Sequence, residues 1–141
     1  MNAKDLNISD YSSHIVFITG GTKSGKSEFA EHLAKELKKL SYVALSDNNL
    51  DDKEWQEKIN LHRKRRPKDW KLIETTDLIN TLRKEEGPLL IDSIGGFVMD
   101  SIGKEQDECS TKMKSLISLL MKRKSMTIIV GEQVGWSLVS V

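Results

Sequence analysis

Short apolar runs alternate along the chain with stretches in which apolar residues recur every three or four positions. Ile15-Val16-Phe17-Ile18, Tyr42-Val43-Ala44-Leu45, Lys71-Leu72-Ile73-Glu74, Leu89-Leu90-Ile91-Asp92 and Met126-Thr127-Ile128-Ile129-Val130 have the length and content of strands. Between the first two, Phe29, Ala30, Leu33, Ala34, Leu37 and Leu40 make one stripe of a helix whose other face carries Glu28, Glu31, Lys35, Glu36, Lys38 and Lys39. Trp55, Ile59 and His62 share a face of a second helix. It opens at Asp51 with Glu54 three residues on, and Pro67 ends it near Arg66. Thr75-Thr76-Asp77 caps a third helix through Leu78, Ile79 and Leu82, stopped by Gly87-Pro88. Ser93-Ile94-Gly95-Gly96 and Phe97-Val98-Met99-Asp100 read as a flexible lip, and residues 103–109 as a polar, acidic connector. Met113, Leu116, Ile117, Leu120 and Met121 predict a fourth helix ending in Lys122-Arg123-Lys124. Strands alternating with helices throughout predict an α/β domain with a mostly parallel sheet covered on both faces.

Composition narrows the class. The 141 residues fit one domain, here residues 14–141 behind a flexible leader of residues 1–13. An apolar fraction of 38% and a charged fraction of 30% describe a soluble globular chain, and a net charge of +1 gives no global field toward nucleic acid or membrane. The leader lacks the apolar core of a secretory signal, and nowhere do about 18 apolar residues run together, so a cytoplasmic protein with no membrane span is expected. Cys109 is the single cysteine, which excludes an internal disulfide and any cysteine-cluster metal site.

The strongest chemical signal follows the first strand. Gly20-x-x-x-x-Gly25-Lys26-Ser27 fits the phosphate-binding loop G-x-x-x-x-G-K-[ST], with the required strand before and helix after. Glycines 20, 21 and 25 let the main chain converge its N–H groups on phosphate oxygens, and the helix N-terminus adds its own donors. In that template Thr22, Lys23 and Ser24 complete the loop, Lys26 reaches the β and γ phosphates, and the Ser27 hydroxyl ligates Mg²⁺. Asp92 ends an apolar run; placed next to the phosphate-loop strand, it takes the Walker-B role of holding Mg²⁺. Ser46 leaves the end of the second strand, where it either contacts nucleotide or forms a turn. Glu132 sits at the end of the last strand, where it either reaches the site or caps a turn.

His62 and the following Arg63-Lys64-Arg65-Arg66 admit several readings from spacing alone: a solvated basic helix end, a short nucleic-acid patch that net charge does not support, or a cradle for a second phosphate group. On spacing alone His62 is an ordinary helix-end histidine.

Taken together, Ile18-Thr19-Gly20-Gly21-Thr22-Lys23-Ser24-Gly25-Lys26-Ser27, Tyr42-Val43-Ala44-Leu45-Ser46, His62-x-x-x-Arg66-Pro67-x-x-Trp70 followed by Glu74, Leu89-Leu90-Ile91-Asp92 and Ile128-Ile129-Val130-x-Glu132-x-Val134-Gly135 resemble the bifunctional adenosylcobinamide kinase/adenosylcobinamide-phosphate guanylyltransferase family of cobalamin biosynthesis. The resemblance implies a P-loop NTPase fold of the RecA-like kind and a homo-oligomer with its active site near subunit contacts. It implies ATP or GTP as phosphate donor, adenosylcobinamide as acceptor, and His62 as the residue that carries GMP. Ala44, Leu45, Ser46, Arg63, Lys64, Arg65, Arg66, Glu74 and Asp92 then fall at nucleotide positions. Members of the family continue through further helix and strand after Val-Gly, so this chain is expected to be C-terminally incomplete and to expose apolar surface. Gly131-Glu132-Gln133 stands where the family has an Asn-Glu pattern. Two other readings stay open: another small-molecule kinase or NTPase sharing only the loop, and a non-catalytic GTP-binding module.

Overall fold

The computed structural model describes residues 7–11, 13–20, 25–45, 51–95, 97 and 105–132. Five strands, β1 (Ile15–Gly20), β2 (Ser41–Leu45), β3 (Lys71–Thr75), β4 (Leu89–Asp92) and β5 (Thr127–Glu132), form one sheet in the order β1-β5-β4-β2-β3. Every pairing is parallel. Among the described residues, the helices α1 (Lys26–Ala34), α2 (Asp52–Arg65), α3 (Leu78–Lys84) and α4 (Gln106–Lys122) connect or follow them. The predicted parallel α/β sheet with helices on both faces is what the chain forms.

Parallel strands need crossovers, and each crossover brings an amphipathic helix to cover the sheet. Register decides which side chains share a face. Ala44 stands opposite both Asp92 and Glu74, and Asp92 stands opposite Val130. The face holding Val16, Tyr42, Ala44, Leu90, Ile128 and Val130 is covered by Ala30, Leu33 and Ala34 of α1 and Ile59 of α2. The opposite face, with Val43, Leu45, Leu89, Ile91 and Ile129, is covered by Leu78 and Leu82 of α3 and Leu116 and Leu120 of α4. Burying each such aliphatic side chain contributes about 1.5–3 kcal/mol. The three central strands carry these residues on both faces, hence their unbroken apolar runs.

At the amino edge the residue before every strand but β3 adds one rung to the ladder. Thr127 N–H donates to His14 C=O, Leu89 to Met126, Ser41 to Pro88, and Lys71 to Leu40, at 2.8–3.1 Å. There too Arg123, at the C-terminus of α4, donates from Nε to Thr127 Oγ1 and from its two terminal nitrogens to Glu85 C=O and Gly87 C=O. Burial lowers the Arg123 pKa, and the Glu85 carboxylate opposes that shift.

Local details differ from the pattern in four places. α1 ends at Ala34, where periodicity carries it through Leu40: Leu37 N–H bonds back to Ala34 C=O in a tight turn, and Lys39 takes a positive φ of 58°. Leu37 and Leu40 still pack on the α1 face from that turn. The acidic connector 103–109 is helical from Gln106, with Asp107 and Glu108 in a first turn whose dipole they complement. Within the expected lip, Ile94 and Phe97 are buried against the α3/α4 face, and Ile94 N–H donates to Val130 C=O; residues 96 and 98–104 lie outside the described set. Asp92 does not lie next to the phosphate-loop strand, because β5 is inserted between β1 and β4.

Apolar surface is exposed on the α4 side. Phe17 of β1 is 55% exposed, and Ile117 and Met121 of α4 are 56% and 64% exposed. Phe17 lies over Gly131, where a Cβ would come within 2.7 Å of its ring. Glycine at that position is thus matched to the aromatic on the neighbouring strand.

Candidate functional site

Open parallel sheets bind ligands beyond the carboxyl ends of their strands. β1 reaches that edge at Gly20, and α1 begins at Lys26. Gly25 caps α1 with φ +80°, a conformation glycine tolerates without strain, and its C=O accepts from Phe29 N–H. Lys26 and Ser27 are therefore the first two helical residues, where unsatisfied N–H groups and the positive dipole end favour an anion. Gly21, Thr22, Lys23 and Ser24 lie outside the described residues, as does Ser46.

Ser27, in α1, meets Asp92 although β1, which precedes that helix, and β4 are not neighbours. Asp92 shares its sheet face with α1, and that helix packs across β1, β5 and β4. Ser27 Oγ donates to Asp92 Oδ2 at 3.3 Å. Asp92 is 6% exposed, and the Asp92–Ser93 peptide is cis. This donor set, one hydroxyl and one carboxylate, suits a hard cation such as Mg²⁺, which takes few protein ligands and fills its shell with phosphate and water. Among the described residues no group of three or more His, Cys, Asp or Glu makes an all-protein metal site.

A third side chain joins them. Tyr42, 1% exposed in β2, donates its hydroxyl to the same Asp92 Oδ2 at 2.7 Å. Arg66 places its guanidinium carbon 5.5 Å from the centroid of the Tyr42 ring. The apolar-run reading of β2 missed Tyr42. The available signal was chemical: a phenol in a strand buried on both faces must find a hydrogen-bond partner.

The remaining candidates are dispersed. Ala44 is buried on the Asp92 face and Glu74 is exposed on that face of edge strand β3. Leu45 packs its side chain into the opposite face, so only its main chain is left for a ligand at the Asp92 side. Asp51 Oδ1 accepts from Glu54 N–H at 2.7 Å, fixing the start of α2. α2 then returns the chain to the amino edge, where Trp70 is buried with Leu40 and Lys71 N–H bonds Leu40 C=O. His62 thus has its main chain in the last turn of α2, toward the edge opposite the phosphate loop. Lys64 is exposed, while the side chains of His62, Arg63, Arg65 and Glu132 lie outside the described set.

Comparison with known proteins supplies independent information. The model of a family described as cobinamide kinase / cobinamide phosphate guanyltransferase matches residues 16–141. The bifunctional adenosylcobalamin biosynthesis protein CobU of Escherichia coli (strain K12) is 27% identical over 143 residues, covering 89% of this chain and 78% of that protein.

Proposed function

Because the chain belongs to the cobinamide kinase / cobinamide phosphate guanyltransferase family, we propose that it phosphorylates adenosylcobinamide with ATP or GTP and then transfers GMP from GTP to that phosphate. The observation that carries the first half is the convergence of Ser27 and Asp92 at the carboxyl edge, directly after a phosphate-loop glycine held at positive φ. In the kinase step the hydroxyl of the aminopropanol arm attacks the γ-phosphorus, the bond to the bridging oxygen breaks, and a nucleoside diphosphate leaves. Loop amides and Lys26 hold the phosphates in line and offset their charge; little other chemistry is asked of the protein. Ser27 and Asp92 would hold Mg²⁺, which when bound neutralises charge between the β and γ phosphates.

In the second step a neutral His62 imidazole would attack the α-phosphorus of GTP, releasing pyrophosphate. The new corrinoid phosphate would then displace histidine to give adenosylcobinamide-GDP. Cations at 63–66 would stabilise the transferring group and favour the neutral imidazole. Chain topology sets His62 and the phosphate loop toward opposite sheet edges, which supports two steps in two places, each able to be lost separately.

Incubation with α-labelled GTP is expected to give an acid-labile, alkali-stable protein adduct that disappears in His62→Ala and persists in Lys26→Ala. γ-Phosphoryl transfer to adenosylcobinamide should show the reverse pattern. An active preparation that never labels overturns the guanylyl half. The separation of His62 from the loop also favours a second reading, a small-molecule kinase or NTPase using the phosphate loop alone. Its signature is turnover abolished by Lys26→Ala and indifferent to His62→Ala, with no adduct.

A further inference from the structure

Asp92 Oδ2 accepts two hydroxyls at once, from Ser27 at 3.3 Å and from Tyr42 at 2.7 Å. These two bonds behave differently when a cation arrives. To ligate a metal, Ser27 must turn a lone pair toward it, so its proton no longer serves Asp92 in the same way. The Tyr42 hydroxyl, which is not asked to ligate the metal, can keep donating throughout. We propose that Tyr42 is a positioning residue for the phosphate site: it holds the Asp92 carboxylate in the plane from which that group takes a cation beside Ser27, and Arg66 strengthens the hold. The inference rests on reading Ser27 and Asp92 as the metal-holding pair.

Register explains why the residue must be tyrosine. Asp92 is opposite Ala44, so Tyr42 stands two residues nearer the amino edge on the same face. Only a long side chain with a terminal donor spans that offset. Serine or threonine would fall short, and phenylalanine reaches but cannot donate. The guanidinium of Arg66 over the ring is attracted to its π face and draws on its electrons, which makes the hydroxyl a stronger donor. Arg66 follows α2 directly and precedes Pro67, while the loop after it is anchored by buried Trp70. The basic end of α2 therefore connects to the metal pair through a single aromatic side chain. Outer partners that orient a ligand usually matter to metal affinity more than to fold.

The test is the metal dependence of nucleotide binding, read by titrating Mg²⁺ into the 141-residue chain with a fluorescent GTP analogue. In Tyr42→Phe, which keeps the ring and the Arg66 contact, the Mg²⁺ midpoint is expected to rise about ten-fold, with the metal-free affinity measured in chelator close to wild type. Arg66→Met, which leaves the core intact and serves if Tyr42→Phe folds poorly, is expected to raise the midpoint about two-fold. An unchanged midpoint in folded Tyr42→Phe, accompanied only by a lower melting temperature, overturns the proposal and leaves Tyr42 a core residue. Absence of any Mg²⁺ dependence in the wild-type chain instead overturns the metal-pair reading, and the positioning role with it.

Discussion

The two edges of the sheet each hold a buried polar cluster between strand ends and a helix terminus, and the clusters are finished in opposite ways. At the amino edge, Arg123 sends its donors to Thr127 Oγ1 and to the carbonyls of Glu85 and Gly87, joining the end of α4, the start of β5 and the loop before β4. That cluster closes on itself, alongside the four extra rungs that align the strand starts. At the carboxyl edge, Ser27, Asp92 and Tyr42 gather on one carboxylate oxygen beneath a helix N-terminus, an arrangement that welcomes a cation and phosphates. Similar ingredients thus serve cohesion at one end and, in the function proposed above, chemistry at the other. Substitutions should separate the two, with stability lost at the amino edge and function lost at the carboxyl edge.

The sharpest break is expected at Arg123→Met. Methionine keeps most of the apolar stem but leaves the Glu85 and Gly87 carbonyls and the Thr127 hydroxyl without their donor, a loss of about 4 kcal/mol from orphaned buried groups. A urea titration checks it through a lower midpoint at constant slope. Nucleotide affinity per folded molecule should be unchanged. A variant as stable as wild type would mean that the amino edge is not the clamp its geometry suggests.

Asp92→Asn probes the other edge. The amide keeps the shape of the carboxyl and can still accept from Tyr42, so stability should move by less than about 1 kcal/mol. Mg²⁺-dependent turnover should fall about 100-fold, equivalent to about 2.7 kcal/mol of transition-state stabilisation. Steady-state kinetics at saturating Mg²⁺, beside a thermal melt, measures both. Loss of fold together with loss of turnover would erase the contrast between the edges.

How much of this was legible in the sequence follows from what each signal encodes. Strands announced themselves because burial on both faces forces continuous apolar runs, as in Val43-Ala44-Leu45 and Leu89-Leu90-Ile91. Neighbour order carried no such mark: Ile128-Ile129-Val130 reads like any buried strand, and nothing local says that it separates β1 from β4. The stripe continuing through Leu37 and Leu40 concealed the end of α1, since a turn can present apolar residues to the same face as a helix. Ser27 and Asp92 were legible through motif and strand-end position. Tyr42 and Arg123 were not, because their roles depend on partners about 50 and 40 residues away that only the register brings near.

The smallest effect tests whether any amino-edge contact matters or only the buried ones. Lys71 Nζ lies 3.2 Å from Glu85 Oε1, but the lysine side chain is 65% exposed on an edge strand, where water and salt compete for both charges. Lys71→Ala removes this pair while the Arg123 bonds to the neighbouring carbonyls stay in place. The expected cost is no more than about 0.5 kcal/mol, shrinking further at high ionic strength. Paired melts at low and high salt would show it. A cost approaching that of Arg123→Met would move the clamp from the buried guanidinium to the surface pair, and with it the reason for setting this edge against the other.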